Sequence, residues 1–399
     1  MIDLKAARSD ATAWRAALAR KGAAEAFDRL LEADERWREL VPRVDELRSR
    51  TKLKGKPTPE QLEELQQVKE ELRVVEEQIG AAEAARDAAL ADVPNPPHES
   101  APDGSTDDDA EELRRVGDPP TLVDPREHTE VGRFEMERAA RLSGARFGYI
   151  VGDTALLAFA LYLCAIDHLV QAGFTPMLPP VLVREEAMYG TGFFPTERSN
   201  IYALEADDLY LTGTSEVGLA GFHMGEILQG AELPLRYAAF SPCFRREAGA
   251  AGKDTRGMFR VHQFNKVEMF VFTHPEDSWA EHDRMVALEE AFLQKLGLPY
   301  RAVSIAAGDL GAPAAKKIDL EAWFPSQARY REVTSCSNTT DYQARRLGIR
   351  FRGERGVETA HTLNGTMVTD RVVLALLENF QGEVPEVLQG FGAPARIVG

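Results

Sequence analysis

The chain has 399 residues, enough for two or three domains and at least one large core, and its 44% hydrophobic, 28% charged composition is that of a soluble globular protein. A formal charge of -17 argues against indiscriminate polyanion binding, although a local basic patch can still steer one. MIDLKAARSD lacks the apolar run of a signal peptide, ALLAFALYLCAI (155–166) is shorter than the roughly 20 residues of a membrane span, and three widely spaced cysteines form no zinc pattern; a cytoplasmic protein with reduced thiols, no membrane partner and no structural zinc is expected.

From about residue 27 to 90, apolar residues recur in steps of three and four. Leu30, Ala33, Trp37, Leu40, Val44 and Leu47 form one seam; Leu65, Val68, Leu72, Val75, Ile79 and Ala82 form another, which lapses at Arg86. TKLKGKPTPE between them carries Gly55, Pro57 and Pro59, so the pair reads as an antiparallel helical hairpin, with a kink possible at Pro42. Helices of about 25–30 residues reach roughly 40 Å. The tip, 48–59, places Arg48, Arg50, Lys52, Lys54 and Lys56 in alternation with no acid among them. That pattern fits either a solubilising loop or a finger that tracks phosphates by counterion release.

VPNPPHESAPDGSTDDDAEELRRVGDPP, with no apolar period, reads as a linker spanning 91 to about 127. The domains are therefore set at 1–110 and 111–399. Beyond the linker, HTEVGRFEMERAARLSG, DTALLAFALYLCAIDHLVQAG, EDSWAEHDRMVALEEAFLQKLG and DRVVLALLENFQ look helical. TPMLPPVLV is extended, because its prolines forbid a helix interior. LRYAAF, PCFRRE, MFRVHQFNKVEMFVF, KKIDLEAWF and YREVTSC read as strands, which gives an α+β class with a largely antiparallel sheet.

Within that sheet, strand alternation puts Arg245 and Glu247 on one face, and Arg260, His262, Phe264, Lys266 and Glu268 on one face of the following strand if no bulge intervenes. Phe259, Val261, Val267, Met269 and Val271 take the other side as core, and Arg246 alternates toward it. A mid-sheet row of cations, acids and an aromatic ring fits either a solvated face laced with ion pairs or a ligand platform. Arginine offers a planar fork to phosphate, Phe264 can stack on a base, and Glu268 can hold an ammonium group.

FRREAGAAGKDTRGMFRVHQFNKVE closely resembles motif 2 of the seryl-tRNA synthetases, a class II aminoacyl-tRNA synthetase family. TSCSNTTDYQARR (334–346), LTGTSEV (211–217), GFTPMLPPVLV (173–183), NGTMVTDR (364–371), the helical arm and the VPNPPHES linker resemble the same family, so the likeness covers essentially the whole chain. The resemblance implies an N-terminal antiparallel coiled-coil arm and a class II catalytic domain built on a six- to eight-stranded antiparallel sheet flanked by helices. It implies activation of L-serine with ATP to seryl-adenylate, then transfer to the 3' end of tRNA(Ser), with tRNA(Sec) a further candidate, in a homodimer.

By matching position, the resemblance assigns catalysis to Arg245, Glu247 and Arg371. ATP falls to Arg245, Arg246, Glu247, Arg260, Val261, Phe264, Glu332, Val333, Thr334, Ser335 and Arg371, with Mg2+ at Glu332 and Ser335. Serine falls to Thr214, Glu216, Arg245, Glu268 and Thr366, and tRNA to the five cations of the arm tip. The GAAGKDTRG loop reads as a flap over the ligand. His262, His361 and the cysteines read as structural, and Asp319 and Glu321 receive no role.

NGTMVTDR departs from the commonest motif 3. It is one residue shorter and glycine-poor, with Met367 and Asp370, as in a high-GC Gram-positive branch of the family; an acid beside Arg371 is expected to weaken ATP binding. Two rivals stand beside the ligase: a paralogue, or an inhibitor-tolerant second copy, that charges a different acceptor or serves a special role, and a non-catalytic tRNA binder. The retained arm argues against the paralogue, and the joint presence of Arg245, Glu247, Glu332 and Arg371 against the binder.

Overall fold

The structure, a computed structural model, describes residues 1–52, 58–248 and 257–398. The chain divides into two compact units, Met1–Pro96 and Pro97–Gly399.

In the first unit, helices α1 (Ala24–Arg50) and α2 (Pro59–Asp92) form the hairpin. The two seams meet as read: Val44, Leu47, Val68 and Val75 form a buried cluster, with Leu40, Leu72 and Ile79 packed against it. Where the second seam lapses, the Arg86 guanidinium stacks 4.2 Å from the centre of the Trp37 ring, so an amphipathic side chain extends the contact. Pro42 lies inside α1 without ending it. Thr58 caps α2 through a reciprocal box with Gln61, and Pro59 begins the helix.

The second unit is built on an eight-stranded sheet. Its strands are β1 (Glu111–Val116), β2 (Thr175–Met177), β3 (Leu235–Phe244), β4 (Gln263–Thr273), β5 (Tyr300–Ser304), β6 (Lys316–Phe324), β7 (Arg329–Asn338) and β8 (His361–Thr369). They lie in the order β1-β5-β6-β7-β8-β4-β3-β2, antiparallel except for β2 beside β3. The helices that matter for the site are α3 (Asp153–Gln171), α4 (Glu216–Gly221), α5 (Ser278–Lys295) and α6 (Asp370–Phe380). On one face, Val267, Met269 and Val271 of β4 join a core with residues of α3, α5 and α6, together with Phe259 and Val261. On the other, Phe270 and Phe272 close a second cluster with Leu219 and Ala220 of α4. The β4 face carrying Lys266 and Glu268 is thus apolar in its second half, which anchors the polar half at mid-sheet.

Two expectations need correction. Residues 97–116 are not a free linker. His98 N–H donates to the Ala315 carbonyl (2.8 Å), Ala101 joins a cluster with Val303 and Ile305, and β1 is the sheet's edge strand. An edge strand whose side chains are nearly all exposed has no apolar alternation to read. Nor do PCFRRE and MFRVHQF form strands throughout. LRYAAF and PCF are one strand, which ends at Phe244, and β4 starts only at Gln263. Arg245–Glu247 turn away, with Glu247 in the left-handed region (φ 52°).

Candidate active site

Because β3 ends early, Arg245, Glu247 and Arg260 meet through a turn rather than by strand parity. The Arg245 N–H donates to the His262 carbonyl (2.9 Å), and Arg260 pairs with Glu247 at 2.6 Å. The Arg245 guanidinium lies 5.2 Å from the Phe264 ring centre and donates through Nε to the Gly213 carbonyl. Arg371, in the first turn of α6, stacks 4.9 Å from the Phe259 ring and donates to the backbone carbonyl and carboxylate of Glu332 (3.1 and 3.3 Å). These groups surround a cavity of about 100 Å³ whose walls include Glu247, Arg260, Val261, Phe264, Lys266, Val333, Thr334, Thr366 and Arg371. Three arginine forks and a ring at one cleft suit a nucleotide with its phosphates.

Beside it, a cavity of about 590 Å³ shares Arg245, Glu247 and Arg260 and is also lined by Glu216, Lys317, Ser337 and Asn364. Glu268 lies behind the wall, 1% exposed, ion-paired with the buried Lys266 and 3.5 Å from the Thr214 hydroxyl. Lys266 Nζ also donates to Thr366 Oγ1 (3.4 Å), and Thr366 sits opposite Glu268 where β8 carries an extra residue, Met367. Glu216 accepts from Gln343 Nε2 (2.6 Å) and Asn364 Nδ2 (3.1 Å). Burial, then repulsion from Glu268, pushes the Glu216 carboxyl up to about 7. Burial raises Glu268 as well, opposed by Lys266 and Arg245. Two acids, hydroxyls and a lysine in so small a space make a polar pocket suited to a small zwitterion.

Glu332 and Ser335 are three apart, so a regular strand would aim them at opposite faces. The extra residue Val333 on β7 corrects this: Leu320 pairs with Thr334 and Glu321 with Glu332. Asp319 pairs across the strands with Ser335, ion-pairs with Lys317 at 3.0 Å, and leaves its buried Oδ1 without a hydrogen-bond partner. The Glu332 side chain is about half exposed; desolvation by the surrounding groups acts to raise its carboxyl, but Arg371, Lys317 and Arg245 outweigh it and hold the group below its ordinary value. A carboxylate, a hydroxyl and an unfilled carboxylate oxygen nearby are hard oxygen donors of the kind Mg2+ takes alongside phosphates and water, so the residues present fit that ion.

The other expected residues lie as follows. Arg246 is exposed, not on the core side. Its N–H donates to the Asn200 carbonyl (2.8 Å), and its guanidinium stands 5.9 Å from the Tyr202 ring. Arg48 and Arg50 pair with Glu76 and Glu64 across the hairpin, and Lys52 is exposed. Lys54, Lys56 and the loop residues 249–256 fall outside the described residues. His262 caps the turn by bonding the Arg245 carbonyl, and the three cysteines are buried thiols. Sequence reasoning passed over Lys266, although it stood in the same alternating row, and Lys317, Gln343 and Asn364, whose roles depend on contacts between distant segments.

An antiparallel sheet with an arginine-and-aromatic nucleotide cleft at its centre defines a class II aminoacyl-tRNA synthetase core, and the family described as tRNA synthetase class II core domain (G, H, P, S and T) matches residues 201–380. The seryl-tRNA synthetase N-terminal domain family matches residues 1–97, consistent with a first unit ending at Pro96. The serine--tRNA ligase of Acidothermus cellulolyticus is 48% identical over 400 residues, covering 96% of this chain and 94% of that protein. That of Mycolicibacterium vanbaalenii is 47% identical, covering 97% of each. Among solved structures, seryl-tRNA synthetase from Pyrococcus horikoshii complexed with ATP superposes with a TM-score of 0.94 at 37% identity, covering 100% of this chain and 99% of that one. The chain belongs to the seryl-tRNA synthetase family.

Proposed function

We propose that this chain is a serine--tRNA ligase, which joins L-serine to AMP at the expense of ATP and then passes the seryl group to tRNA(Ser). The reading is carried by one juxtaposition: a buried Glu268 flanked by Thr214 and Thr366, immediately beside the Arg245–Phe264 stack. In the first step the serine carboxylate attacks the α-phosphate and pyrophosphate leaves. Arg245 holds the carboxylate and α-phosphate together, Phe264 and Glu247 position adenine, and Arg260 and Arg371 take the phosphate tail. Such catalysis is positioning and charge stabilisation, with no protein nucleophile. Glu268 and Glu216 receive the serine ammonium group; Thr214 and Thr366 meet its polar edges. Glu332, Ser335 and Asp319 would hold Mg2+, which would neutralise phosphate charge.

In the second step the seryl group passes to the 3'-hydroxyl of the terminal ribose, while the cations of the arm tip grip the tRNA backbone. An apolar stripe on α3, with Leu156, Phe159 and Leu163 all about half exposed, supports a homodimer. The buried free thiols suit the cytoplasm. The test is aminoacylation of serine tRNA by the full chain and by one lacking residues 48–56. Charging by the first and not the second is expected; equal charging refutes the role given to the arm.

A further inference from the structure

The acid beside Arg371 contributes to the wall of the nucleotide cavity, but its carboxylate is bonded to groups of α3 and β4. Asp370 is 7% exposed, and both its oxygens are engaged. Oδ1 accepts from the Tyr162 hydroxyl on α3, and Oδ2 accepts from the Asn265 backbone N–H at 3.1 Å. The Asn265 side chain adds a longer contact of 3.5 Å to Oδ1.

The strand register explains why an acid belongs there. The ladder between β4 and β8 ends at the pair Lys266–Thr369. One residue further on lie Asn265 and Asp370, where β8 has already become α6. The Asp370 carboxylate therefore takes the donor that the broken ladder leaves behind, and a buried N–H is costly to leave unmet. Its charge also sits in the first turn of α6, where a helix favours an anion. The next residue is Arg371, whose own N–H is held by Thr369 Oγ1.

We infer that Asp370 is a positioning residue for ATP: by clamping the start of α6 to β4 and α3, it fixes the backbone from which Arg371 reaches the phosphate tail. Rather than repelling ATP, the acid accepts from the Tyr162 hydroxyl and the Asn265 N–H and so holds the turn that precedes Arg371. The inference rests on the ligase reading for the identity of the nucleotide, but not for the clamp itself.

The test separates the two. Serine-dependent ATP–pyrophosphate exchange and direct ATP binding by calorimetry are measured for wild type, D370A, D370N and Y162F. D370A is expected to raise both the KM and the Kd for ATP about tenfold while the serine KM stays within about twofold, as loss of a hydrogen-bonded charge next to the arginine implies. D370N, whose amide still accepts from Asn265 and can donate to Tyr162, is expected to recover most of the loss; Y162F is expected to fall between. If D370A does not fold, the D370N and Y162F comparison decides alone. An unchanged ATP Kd in Y162F, an ATP Kd improved by removing the acid, or equal losses for ATP and serine would overturn the inference. Wild-type protein that binds ATP but supports no exchange with serine would strike the ligase reading and leave the clamp standing.

Discussion

Glu268 is the residue on which serine recognition turns, and its surroundings set what substitution should do. Lys266 and Glu268 form a pair with almost no solvent access. Removing one partner of such a pair strands a buried charge and typically costs about 3–5 kcal/mol. Glu268→Ala should therefore lower thermal stability markedly as well as abolish serine activation. Glu268→Gln keeps the shape, the Thr214 contact and an acceptor for Lys266, so it should cost less stability than Glu268→Ala while still removing the charge that meets the substrate ammonium. A hydrogen bond to a charged group is worth about 1.5–3 kcal/mol, so kcat/KM for serine should fall roughly 10- to 150-fold, with the ATP Kd little changed. The assay is ATP–pyrophosphate exchange across a serine titration, with melting curves on the same samples. Lys266→Met in the Glu268→Ala background should restore much of the lost melting temperature without restoring exchange. Near-normal exchange by Glu268→Gln at low serine would refute the assignment, and an undiminished melting temperature in Glu268→Ala would refute the account of the pair.

Three further outcomes are expected. Glu216 holds its proton up to about 7 in the folded protein against an ordinary 4.5, so the folded state binds more protons and stability falls as pH rises through that window. The loss is at most about 3 kcal/mol, and Glu216→Gln should show a flatter melting temperature between pH 5 and pH 8; an unchanged slope would exclude the group as the cause. Reversing Arg48, Arg50 and Lys52 to glutamate should raise the KM for tRNA about tenfold or more near 0.1 M salt and flatten its salt dependence, leaving pyrophosphate exchange intact. The pairs Arg48 makes with Glu76 and Arg50 with Glu64 are surface pairs worth little, so they should not hold these cations back from phosphate. Phe159→Glu with Leu163→Glu should yield a monomer by light scattering; an unshifted mass would mean the α3 stripe is not the dimer contact.

What the sequence disclosed follows from which signals are local. The heptad seam was readable because each helix repeats its own apolar face, and the buried set Phe259, Val261, Val267, Met269 and Val271 emerged from alternation even though the strand starts only at Gln263. Strand β1 was invisible because an exposed edge carries no apolar period. The inserted residues Val333 and Met367 were equally hidden, since a bulge is defined by its partner strand; yet they bring Glu332 toward Ser335 and set Thr366 opposite Glu268. The surroundings of Asp370 are hidden for a similar reason. Beside an arginine in the sequence it reads as a competing charge, whereas across the fold it meets Tyr162 and Asn265.

The most direct test of the central claim is amino-acid specificity in ATP–pyrophosphate exchange by the purified full-length chain. Serine alone should support rapid exchange. Alanine and glycine should fail because they leave the buried hydroxyl partners unmet, and threonine should support far less exchange than serine. Exchange driven equally well by alanine or threonine, or none with serine while ATP binds normally, would contradict it.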